Sequence, residues 1–461
     1  MAEPAPLTAL PSARSAVKPA AFLLTGSFPV ISRDPLYLAE LTRRDLKVLV
    51  ITSVAYRERA LAQIADLDGP MSAICDIAFV DGDVTIEGAF VAGAIAAVTA
   101  WLNTYTIVGA YAVGDVLAEP TGLLCDRLGL PGPGLLASRA CRSKYLQRWY
   151  APDLSPRSVV IPAAQRARAI ESGCLDPELA AAITAVGFPA VVKPASRHSS
   201  WGVLTVFDLA ELKHELASYR PHEIVLVEER VSGQEYSVES LIQQDELIFA
   251  SVTRKETTQA NDRTFVELAH TVPEHRPEIT GQLLAANEIL LRRLRFSSGI
   301  AHSEWRLAPD GRAVLMEVAG RTPGDGLMTL YRLACGEPME PQILNIALDV
   351  KASYPVPQRY ARQVYLEHQP GVLADVTVRW PGVQPQWIGE GGVWPEIEPG
   401  APDDGPALRA VLVLKDRGSK LVELESSDDR AVTFFIDAAT PAQLDELEQH
   451  VAAAITMTTH S

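Results

Sequence analysis

Short apolar runs alternate with amphipathic stretches over the first quarter of the chain. Residues 21–26 are predicted to form a short buried strand with a loop after it, residues 34–44 a helix, and residues 46–52 a second strand. That order predicts a βαβ opening in which helices cover parallel strands. Two further strands are predicted at residues 77–80 and 106–110. The Pro/Gly cluster at residues 130–134 ends this α/β unit.

The most apolar run of the chain covers residues 88–102. A membrane-spanning helix needs roughly 20 apolar residues, so this run is too short to cross a bilayer. It is therefore predicted to form a buried helix. The loop after the first strand lacks the GxGxxG pattern, and no dinucleotide-binding site is predicted there.

The middle of the chain alternates helices and strands before it turns to hairpins. A helix is predicted over residues 138–150, with Ser138 as its N-cap. Two hairpins are predicted, one over residues 235–249 around Gln244-Asp245 and the other over residues 298–321. The shorter elements are predicted as strands at 158–161, 190–194, 203–206 and 223–228, with helices at 177–186 and 209–218.

Composition narrows the class of protein. The 461 residues include 41 basic and 57 acidic side chains, for a formal charge of −16. A protein that binds nucleic acid or an anionic membrane needs a basic face, so neither partner is expected. The five cysteines form no CxxC pair, and the N-terminal residues lack the apolar core of a secretory signal. These features favour a reduced, cytoplasmic protein.

The second hairpin carries two carboxylates at matched positions. If its turn centres on Asp310-Gly311, Glu304 lies directly opposite Glu317, and Arg306 and Leu315 share their face. Opposed like charges are destabilising unless a cation lies between them, and oxygen ligands suit Mg²⁺. The alternative is a slipped register, or two solvated side chains at a sheet edge.

Two lysines and a small-residue loop are candidates for phosphate binding. Lys193 ends an apolar strand, where a charged side chain is rare without a partner, whereas Lys144 alone would be interpreted as a solvated helix lysine. The loop at residues 196–202 includes Ser199, Ser200 and Gly202, whose hydroxyl and N–H groups can cover phosphates. Such loops are common, so the loop alone is a weak indication.

A third acidic segment follows the strand at residues 223–228. Glu228 and Glu229 stand at the strand end, and Glu235 follows after a turn. Carboxylates accept hydrogen bonds from an adenine amino group and from ribose hydroxyls. An ordinary strand-to-turn transition is the alternative for this segment taken alone.

The order of these motifs resembles the ATP-grasp superfamily. Lys144 comes first, followed by Val-Val-Lys193-Pro, Val-Glu228-Glu-Arg-Val-Ser-Gly-Gln-Glu235, His302-Ser-Glu304 and Met-Glu317-Val-Ala-Gly-Arg321. Each motif is loose, but the ordered set is specific. Within the superfamily the chain is similar to the L-amino-acid ligases and related carboxylate–amine ligases. The supporting segments lie at residues 264–273 and 317–326.

This resemblance implies a mixed α/β and α+β fold with a Rossmann-like N-terminal domain, a central lid, a C-terminal ATP-binding subdomain built on an antiparallel sheet, and a small appendage. The implied boundaries are a disordered tail at 1–19 and domains at 20–134, 135–225, 226–350 and 351–461. A homodimer is one assembly that the resemblance allows.

The resemblance also implies a role for each candidate residue. Lys144, Lys193, Ser199, Ser200 and Gly202 would hold ATP phosphates, and Glu228, Glu229, Val231 and Glu235 would meet adenine and ribose. Glu304 and Glu317 would bind Mg²⁺, with Mn²⁺ as an alternative ion. Arg321 would contact the reacting carboxylate, and Glu267, His270 and Gly324 would line the substrate site.

The implied function is ATP-dependent joining of a small carboxylate to a small amine, both expected to be amino acids, through an acyl phosphate. One departure concerns the second metal ligand, because many ATP-grasp enzymes have Asn two residues after Glu317, where this chain has Ala319. Three alternatives remain: a catalytically silent nucleotide-binding module, a ligase that uses a non-amino-acid carboxylate or amine, and an enzyme that activates carboxylates by adenylation. Neither substrate is identified, and His270 is only one candidate for the base that deprotonates the amine.

Overall fold

The computed structural model describes residues 17–197, 201–258, 266–389 and 393–460. In these ranges the strands form four sheets, of four, nine, three and four strands. Ser199 and Ser200, together with most of the predicted N-terminal tail, lie outside the described residues. No helix in the described ranges is long and apolar enough to cross a membrane.

The N-terminal unit is a parallel four-stranded sheet covered by helices, and the predicted βαβ opening is confirmed. The strand order is β3-β2-β1-β4, with β1 paired to both β2 and β4. The elements are β1 (Ala20–Thr25), α1 (Phe28–Arg33), α2 (Leu36–Arg43), β2 (Lys47–Ser53), α3 (Arg57–Ala65), β3 (Ile74–Val80), α4 (Val91–Trp101), β4 (Thr106–Ala112) and α5 (Ala118–Leu128).

The helix predicted at residues 88–102 is present, but the prediction that it is buried is wrong. Helix α4 buries only Ala94, Val98 and Trp101, one stripe that packs with the strands, and its other residues are half-buried or exposed. The stripe follows the helical period, and most positions outside it are alanines, glycine or threonine, which tolerate exposure. The apolar composition therefore marked a surface helix rather than a core helix.

The prediction of one continuous helix over residues 138–150 is also wrong. The structure has two helices, α6 (Leu135–Ala140) and α7 (Lys144–Tyr150), and Ser138 lies inside α6 with its hydroxyl donating to the carbonyl of Gly134. The backbone N–H of Lys144 donates to the carbonyl of Ala195 at 3.0 Å instead of continuing α6. This break fixes the start of α7 against the strand that carries Lys193.

A small antiparallel sheet follows, with strand order β5-β8-β6-β7. Leu179, Ile183 and Val227 belong to the core that packs helices against it. Its elements are β5 (Ser158–Ile161), α8 (Ala163–Ser172), α9 (Pro177–Val186), β6 (Ala190–Pro194), β7 (Leu204–Val206), α10 (Leu209–Glu215) and β8 (Val225–Glu229). These strands agree with the sequence prediction to within two residues at each end.

The nine-stranded sheet is mainly antiparallel and forms the centre of the molecule. Its order is β13-β12-β9-β10-β11-β14-β19-β17-β16. It is built from β9 (Gln234–Gln243), β10 (Glu246–Thr257), β11 (Glu267–Val272), β12 (Gly299–Leu307), β13 (Ala313–Ala319), β14 (Tyr360–Tyr365), β16 (Pro385–Trp387), β17 (Ala407–Val413) and β19 (Val432–Ala438). The remaining strands, β15 (Gly371–Val378), β18 (Lys420–Leu421) and β20 (Ile455–His460), form the three-stranded sheet.

The two faces of the large sheet have different neighbours. One face packs against α11 (Pro277–Leu294) through a core that includes Trp305 and Leu315. The other face opens into a cavity. Further helices, α12 (Leu327–Cys335) and α13 (Glu340–Ala347), connect the sheet to the N-terminal unit, and α14 (Pro441–Ala454) packs on its C-terminal strands.

The carboxylate hairpin has the predicted pairing at its functional end. Glu304 lies opposite Glu317 in the β12–β13 ladder, as the turn at Asp310-Gly311 predicted. A register shift follows immediately, so that Trp305 pairs with Leu315 and Arg306 with Val314. The prediction that Leu315 shares a face with Arg306 is therefore wrong. The irregularity puts Leu315 in the α11 core and leaves Arg306 on the cavity wall.

Candidate active site

A single cavity of about 1220 Å³ collects the predicted site residues. Its walls come from the N-terminal unit, the small sheet, the large sheet and the C-terminal strands. Among the described candidates, those that line it are Lys144, Lys193, Glu228, Glu229, Val231, Glu235, Glu267, His270, Glu304, Glu317, Arg321 and Gly324. Gly202 does not line it; its carbonyl accepts a hydrogen bond from the Tyr219 hydroxyl at 2.8 Å.

Lys193 and Glu228 form a buried ion pair on the small sheet. Their side-chain atoms Nζ and Oε2 are 2.6 Å apart, and Arg148 of α7 donates its Nε to the other carboxylate oxygen at 2.7 Å. Burial raises the pKa of Glu228 by itself, but Arg148 and Lys193 lower it to about 2. Burial also lowers the pKa of Lys193 to about 8. Glu228 is only 2% exposed, so its carboxylate serves first to hold these two cations.

The opposed carboxylates on the β12–β13 hairpin each contact a lysine. Lys144 donates to Glu317 at 2.9 Å and to the carbonyl of Arg197 at 2.7 Å. Lys255 donates to Glu304 at 2.5 Å. Both glutamates line the cavity. Because each contacts a lysine, the repulsion expected between the two carboxylates is compensated in this structure.

Lys255 is a site residue that the sequence analysis missed. It is 2% exposed at the centre of the large sheet, and besides Glu304 it contacts Glu267 at 3.1 Å and Glu235 at 3.8 Å. Burial opposes its charge, but these three carboxylates raise its pKa well above the usual value for lysine. Glu235 is its direct partner on β9, but only because the register shifts between Leu247 and Phe249. The hairpin predicted at residues 235–249 ends before Lys255, so it gave no signal for this residue.

His302 links the same carboxylate to the core and was also missed as a site residue. Its ring nitrogens lie 2.8 Å from Glu239 and 3.3 Å from Glu304. Glu239 is fully buried and also accepts hydrogen bonds from Thr253 and Tyr331, both at 2.7 Å. Burial opposes protonation of His302, but its two carboxylate partners raise its pKa. The network orients Glu304 toward the cavity.

Arg321 joins the large sheet to the N-terminal unit. Its guanidinium donates to Asp115 at 2.7 Å and to the carbonyl of Thr322 at 2.6 Å, while its buried Nε has no hydrogen-bond partner among the described residues. Asp325, a carboxylate four residues further along the chain, instead accepts from Arg430 at 2.6 Å. The partner of Arg321, Asp115, lies 206 positions away in the sequence.

Glu267, His270 and Asp325 form a compact cluster on the cavity wall. Their ligand atoms lie within 4.8 Å of one another, a spacing that could hold a metal ion. Arg430 already neutralises Asp325, and Lys255 neutralises Glu267, which argues against a second cation there. His270 is 1% exposed, and neither ring nitrogen has a hydrogen-bond partner in the described part of the chain. Burial lowers its pKa, so it is a neutral group available to a ligand.

The turn between β8 and β9 supplies the remaining candidates. Arg306 donates to the carbonyl of Val231 at 3.3 Å and to Glu235 at 2.7 Å, which ties both ends of the turn to β12. Glu229 contacts Arg157 and, at 3.4 Å, Arg312. Backbone and carboxylate acceptors therefore line this part of the cavity wall side by side.

Comparisons with known proteins agree with this geometry. Residues 186–329 match the family model of the ATP-grasp domain. Over 105 residues, or 23% of this chain and 27% of the relative, the sequence is 33% identical to D-alanine–D-alanine ligase of Sodalis glossinidius. Over 262 residues, or 54% of this chain and 48% of the relative, it is 28% identical to the uncharacterized protein y4rH of Sinorhizobium fredii. The chain thus covers about a quarter to a half of these relatives.

Solved structures share the fold across nearly the whole chain. The L-amino acid ligase of Bacillus licheniformis superposes with a TM-score of 0.70 at 17% identity, covering 96% of this chain and 100% of that one. Phosphoribosylglycinamide synthetase of Anaerococcus prevotii gives 0.63 at 15% identity, with the same coverage. The chain therefore carries an ATP-grasp domain and has the ATP-grasp fold. The superfamily and fold class predicted from the sequence are confirmed.

Proposed function

We propose that this protein is an ATP-dependent carboxylate–amine ligase that forms an amide bond through an acyl phosphate and releases ADP and phosphate. One observation carries the proposal. Two lysines, two opposed glutamates and an arginine line the same cavity, and the buried Nε–H of that arginine has no hydrogen-bond partner among the described residues. Phosphoryl transfer needs positioning and charge neutralisation more than covalent chemistry from the protein, and these side chains supply both.

The donor set fits Mg²⁺ brought with ATP. Glu304 and Glu317 face each other across one ladder and offer only oxygen ligands, which Mg²⁺ prefers. Lys255 and Lys144 neutralise these carboxylates in the present structure, and a metal ion would take over that role. When bound, the ion would neutralise charge on the phosphates.

Lys193 and Lys144 are proposed to bind the phosphates from the opposite side. In the first step an oxygen of the substrate carboxylate attacks the γ-phosphorus, the bond to ADP breaks, and an acyl phosphate forms. In the second step a neutral amine attacks the carbonyl carbon, phosphate leaves, and the nitrogen loses a proton. Arg321 is proposed to bind the carboxylate and then the oxyanion, using the Nε–H that has no partner among the described residues.

The turn between β8 and β9 is proposed to hold the nucleoside. Carboxylate and carbonyl oxygens suit the adenine amino group and the ribose hydroxyls, which are donors. Glu229, Val231 and Glu235 line the cavity there. Glu228 is proposed to act indirectly, because both of its oxygens already accept from Lys193 and Arg148.

The substrates are proposed to be amino acids, and the product a dipeptide. Glu267 and His270 line the cavity with Gly324, and the His270 ring nitrogens have no hydrogen-bond partner in the described ranges. Both side chains offer acceptors for an amino group. The cavity of about 1220 Å³ exceeds the roughly 300–1,000 Å³ of a typical ligand pocket, which leaves room for two substrates beside ATP.

The decisive experiment is product analysis of the spent nucleotide over a matrix of amino acids. Amide formation with ADP and phosphate in equal amounts is the expected result. AMP and pyrophosphate would replace the proposal with adenylation, and ATP binding without turnover across the matrix would favour a silent nucleotide-binding module. The double variant Glu304→Gln/Glu317→Gln is the matched inactive control.

A further inference from the structure

The two covalent connections of the small sheet lie at the same end of it. Strand β5 begins at Ser158, which pairs with Glu228 near the end of β8. At the other end of β8, Val225 lies beside Pro194. In the described ranges the four strands pair only with one another, and the core that packs on them is built from residues 159–227. The small sheet is therefore a body with its own core and one free end.

The loop after β3 contacts this free end. We call this loop, residues 81–87 of the N-terminal unit, the strap. Three polar contacts join it to the small sheet: an ion pair of Asp83 with Arg220, a hydrogen bond of 2.8 Å between Thr85 Oγ1 and His222 Nε2, and a hydrogen bond of 2.6 Å from the Ser196 hydroxyl to Glu87. Arg220 and His222 lie just before β8, and Ser196 lies just after β6. All three contacts are therefore at the end of the sheet away from its covalent connections.

The contacts of the strap can be broken without disturbing either core. Val84 of the strap packs on the core of the N-terminal unit, whereas the core of the small sheet includes no strap residue. The side chains of Asp83 and Arg220 are 31% and 47% exposed, and an exposed ion pair contributes little to stability. The strap is therefore a releasable connection between two separately folded bodies.

The free end is also connected to the proposed phosphate site. The backbone N–H of Arg220 donates to Glu223 at 2.7 Å, and Glu223 accepts two hydrogen bonds of 2.6 Å from Arg197. The carbonyl of Arg197 in turn accepts from Nζ of Lys144 at 2.7 Å, and Lys144 also donates to Glu317. The position of the strap end of the sheet is thus coupled to the lysine that is proposed to bind phosphate.

We propose that the strap holds the small sheet over the cavity while the acyl phosphate is present, and so protects this intermediate from water. This inference rests on the proposed function. Lys193 and Val191 of the sheet line the cavity, whereas none of residues 81–87 does, so the strap side chains are positioning residues that act through the sheet. If the sheet moved away, water would attack the carbonyl carbon, the bond to phosphate would break, and a proton would pass to solvent. The carboxylate would be regenerated, and ATP would be consumed without formation of an amide.

The number of amide bonds formed per ADP released tests the proposal. The double variant Arg220→Ala/His222→Ala removes two of the three contacts, so this ratio should fall below that of the wild type. A fluorescent ADP analogue should leave the variant about fivefold faster in stopped-flow measurements, as for the loss of two exposed polar contacts. Arg220→Lys, which keeps the charge beside Asp83, should resemble the wild type. A role in stability alone would lower the melting temperature and leave the ratio unchanged.

A matched control lies on α10 of the same unit. Lys213→Ala/His214→Ala also removes one basic side chain and one histidine, both of them exposed, and should keep the wild-type ratio and release rate. Circular dichroism confirms that each variant folds. If the double variant does not fold, Asp83→Asn takes its place, because it removes the charge that pairs with Arg220 and keeps an oxygen for the hydrogen bonds from Thr85.

A wild-type ratio and a wild-type release rate in the folded strap variant would overturn the inference while the ligase function stands. Absence of amide formation by the wild type over the whole matrix of amino acids would instead overturn the proposed function. The release rate then decides the strap by itself. Faster release from the strap variant than from the control would show that the strap holds the sheet over the nucleotide, and equal rates would refute it.

Discussion

At the scale of single residues, the cavity is a set of charges that neutralise one another in pairs. The ion pairs are Lys193 with Glu228, Lys144 with Glu317, Lys255 with Glu304, and Arg321 with Asp115. A ligand that enters the cavity must replace some of these ion pairs with contacts of its own. Its affinity therefore depends on which pairs it replaces. Substitutions that remove one partner leave the other charge buried and uncompensated, which costs more than the pair itself contributes.

Arg321 is predicted to act on the chemical step. Arg321→Ala should lower kcat by about 10²–10³, because an interaction that strengthens in the transition state affects kcat more than KM. Arg321→Lys keeps the charge but loses the planar fork, so it should be impaired nearly as much. Steady-state ADP release coupled to product formation measures this, with Arg292→Ala on the exposed side of α11 as control. Wild-type turnover in a folded Arg321→Ala variant would leave only the structural ion pair with Asp115.

Glu317 is predicted to set the requirement for Mg²⁺. Glu317→Gln removes one of the two opposed carboxylates, so half-maximal activity should need more Mg²⁺, and saturating Mg²⁺ should restore part of the loss. A magnesium titration of ADP release measures the shift. Glu288→Gln, an exposed carboxylate on α11, is the matched control. An identical magnesium dependence in Glu317→Gln and the wild type would rule out a metal role for this residue.

Lys193 is predicted to make ATP binding sensitive to pH. Burial lowers its pKa to about 8, so the free protein loses this ammonium as the pH rises through about 8. ATP phosphates favour the charged form, so the Kd for ATP should be lowest below this pH and should rise above it. Calorimetry between about pH 6.5 and 9.5 measures the profile. Lys193→Met should bind ATP weakly, with no transition in this range. A flat wild-type profile would mean that Lys193 does not contact the phosphates.

At the scale of secondary structure elements, the turn between β8 and β9 has a strict backbone requirement. Gly233 has a φ of +119°, and a Cβ on it would lie 2.0 Å from the carbonyl oxygen of Leu307. The turn presents Val231 and Glu235 to the cavity and is held to β12 by Arg306. Any side chain at position 233 therefore forces this part of the wall to shift.

Gly233→Ala is predicted to lower both stability and nucleotide affinity. The loss of unfolding free energy should exceed about 1 kcal/mol, because the native backbone does not suit an L side chain and the space is filled. Thermal unfolding and ATP calorimetry measure the two effects. Gly281→Ala in α11 is the control, since a Cβ there meets no atom within 4 Å and a helical alanine is favourable. Equal melting temperatures for Gly233→Ala and the wild type would contradict the strain argument.

The parts of the site that could be predicted are those set by residues close together in the sequence. The pairing of Glu304 with Glu317 followed from turn chemistry and a period of two, both of which are local. The register shift after Glu304 had no local signal, so the placement of Leu315 was wrong. The break between α6 and α7 was missed for a similar reason, since it depends on a hydrogen bond to Ala195, distant in sequence.

At the scale of the whole molecule, the missed residues are those whose partners come from distant strands. Lys255 contacts carboxylates on β9, β11 and β12, and Arg321 pairs with Asp115 from the N-terminal unit. Strand order in a nine-stranded sheet is not evident from one sequence, so these contacts could not be derived. The ordered motifs nevertheless predicted the superfamily, because they follow the chain and need no knowledge of strand order.

The continuity of the large sheet across the predicted boundary at residue 351 matters for the fate of a shortened chain. Strand β14 pairs with β11, and Arg430 from the C-terminal region holds Asp325. A chain ending at residue 350 would leave the backbone of β11 open to pairing with other molecules, and Asp325 would lose its cation. Such a fragment is expected to self-associate rather than remain a dispersed catalytic core. Light scattering of the fragment beside the full chain measures this, and a monodisperse, nucleotide-binding fragment would show that the edge is protected in another way.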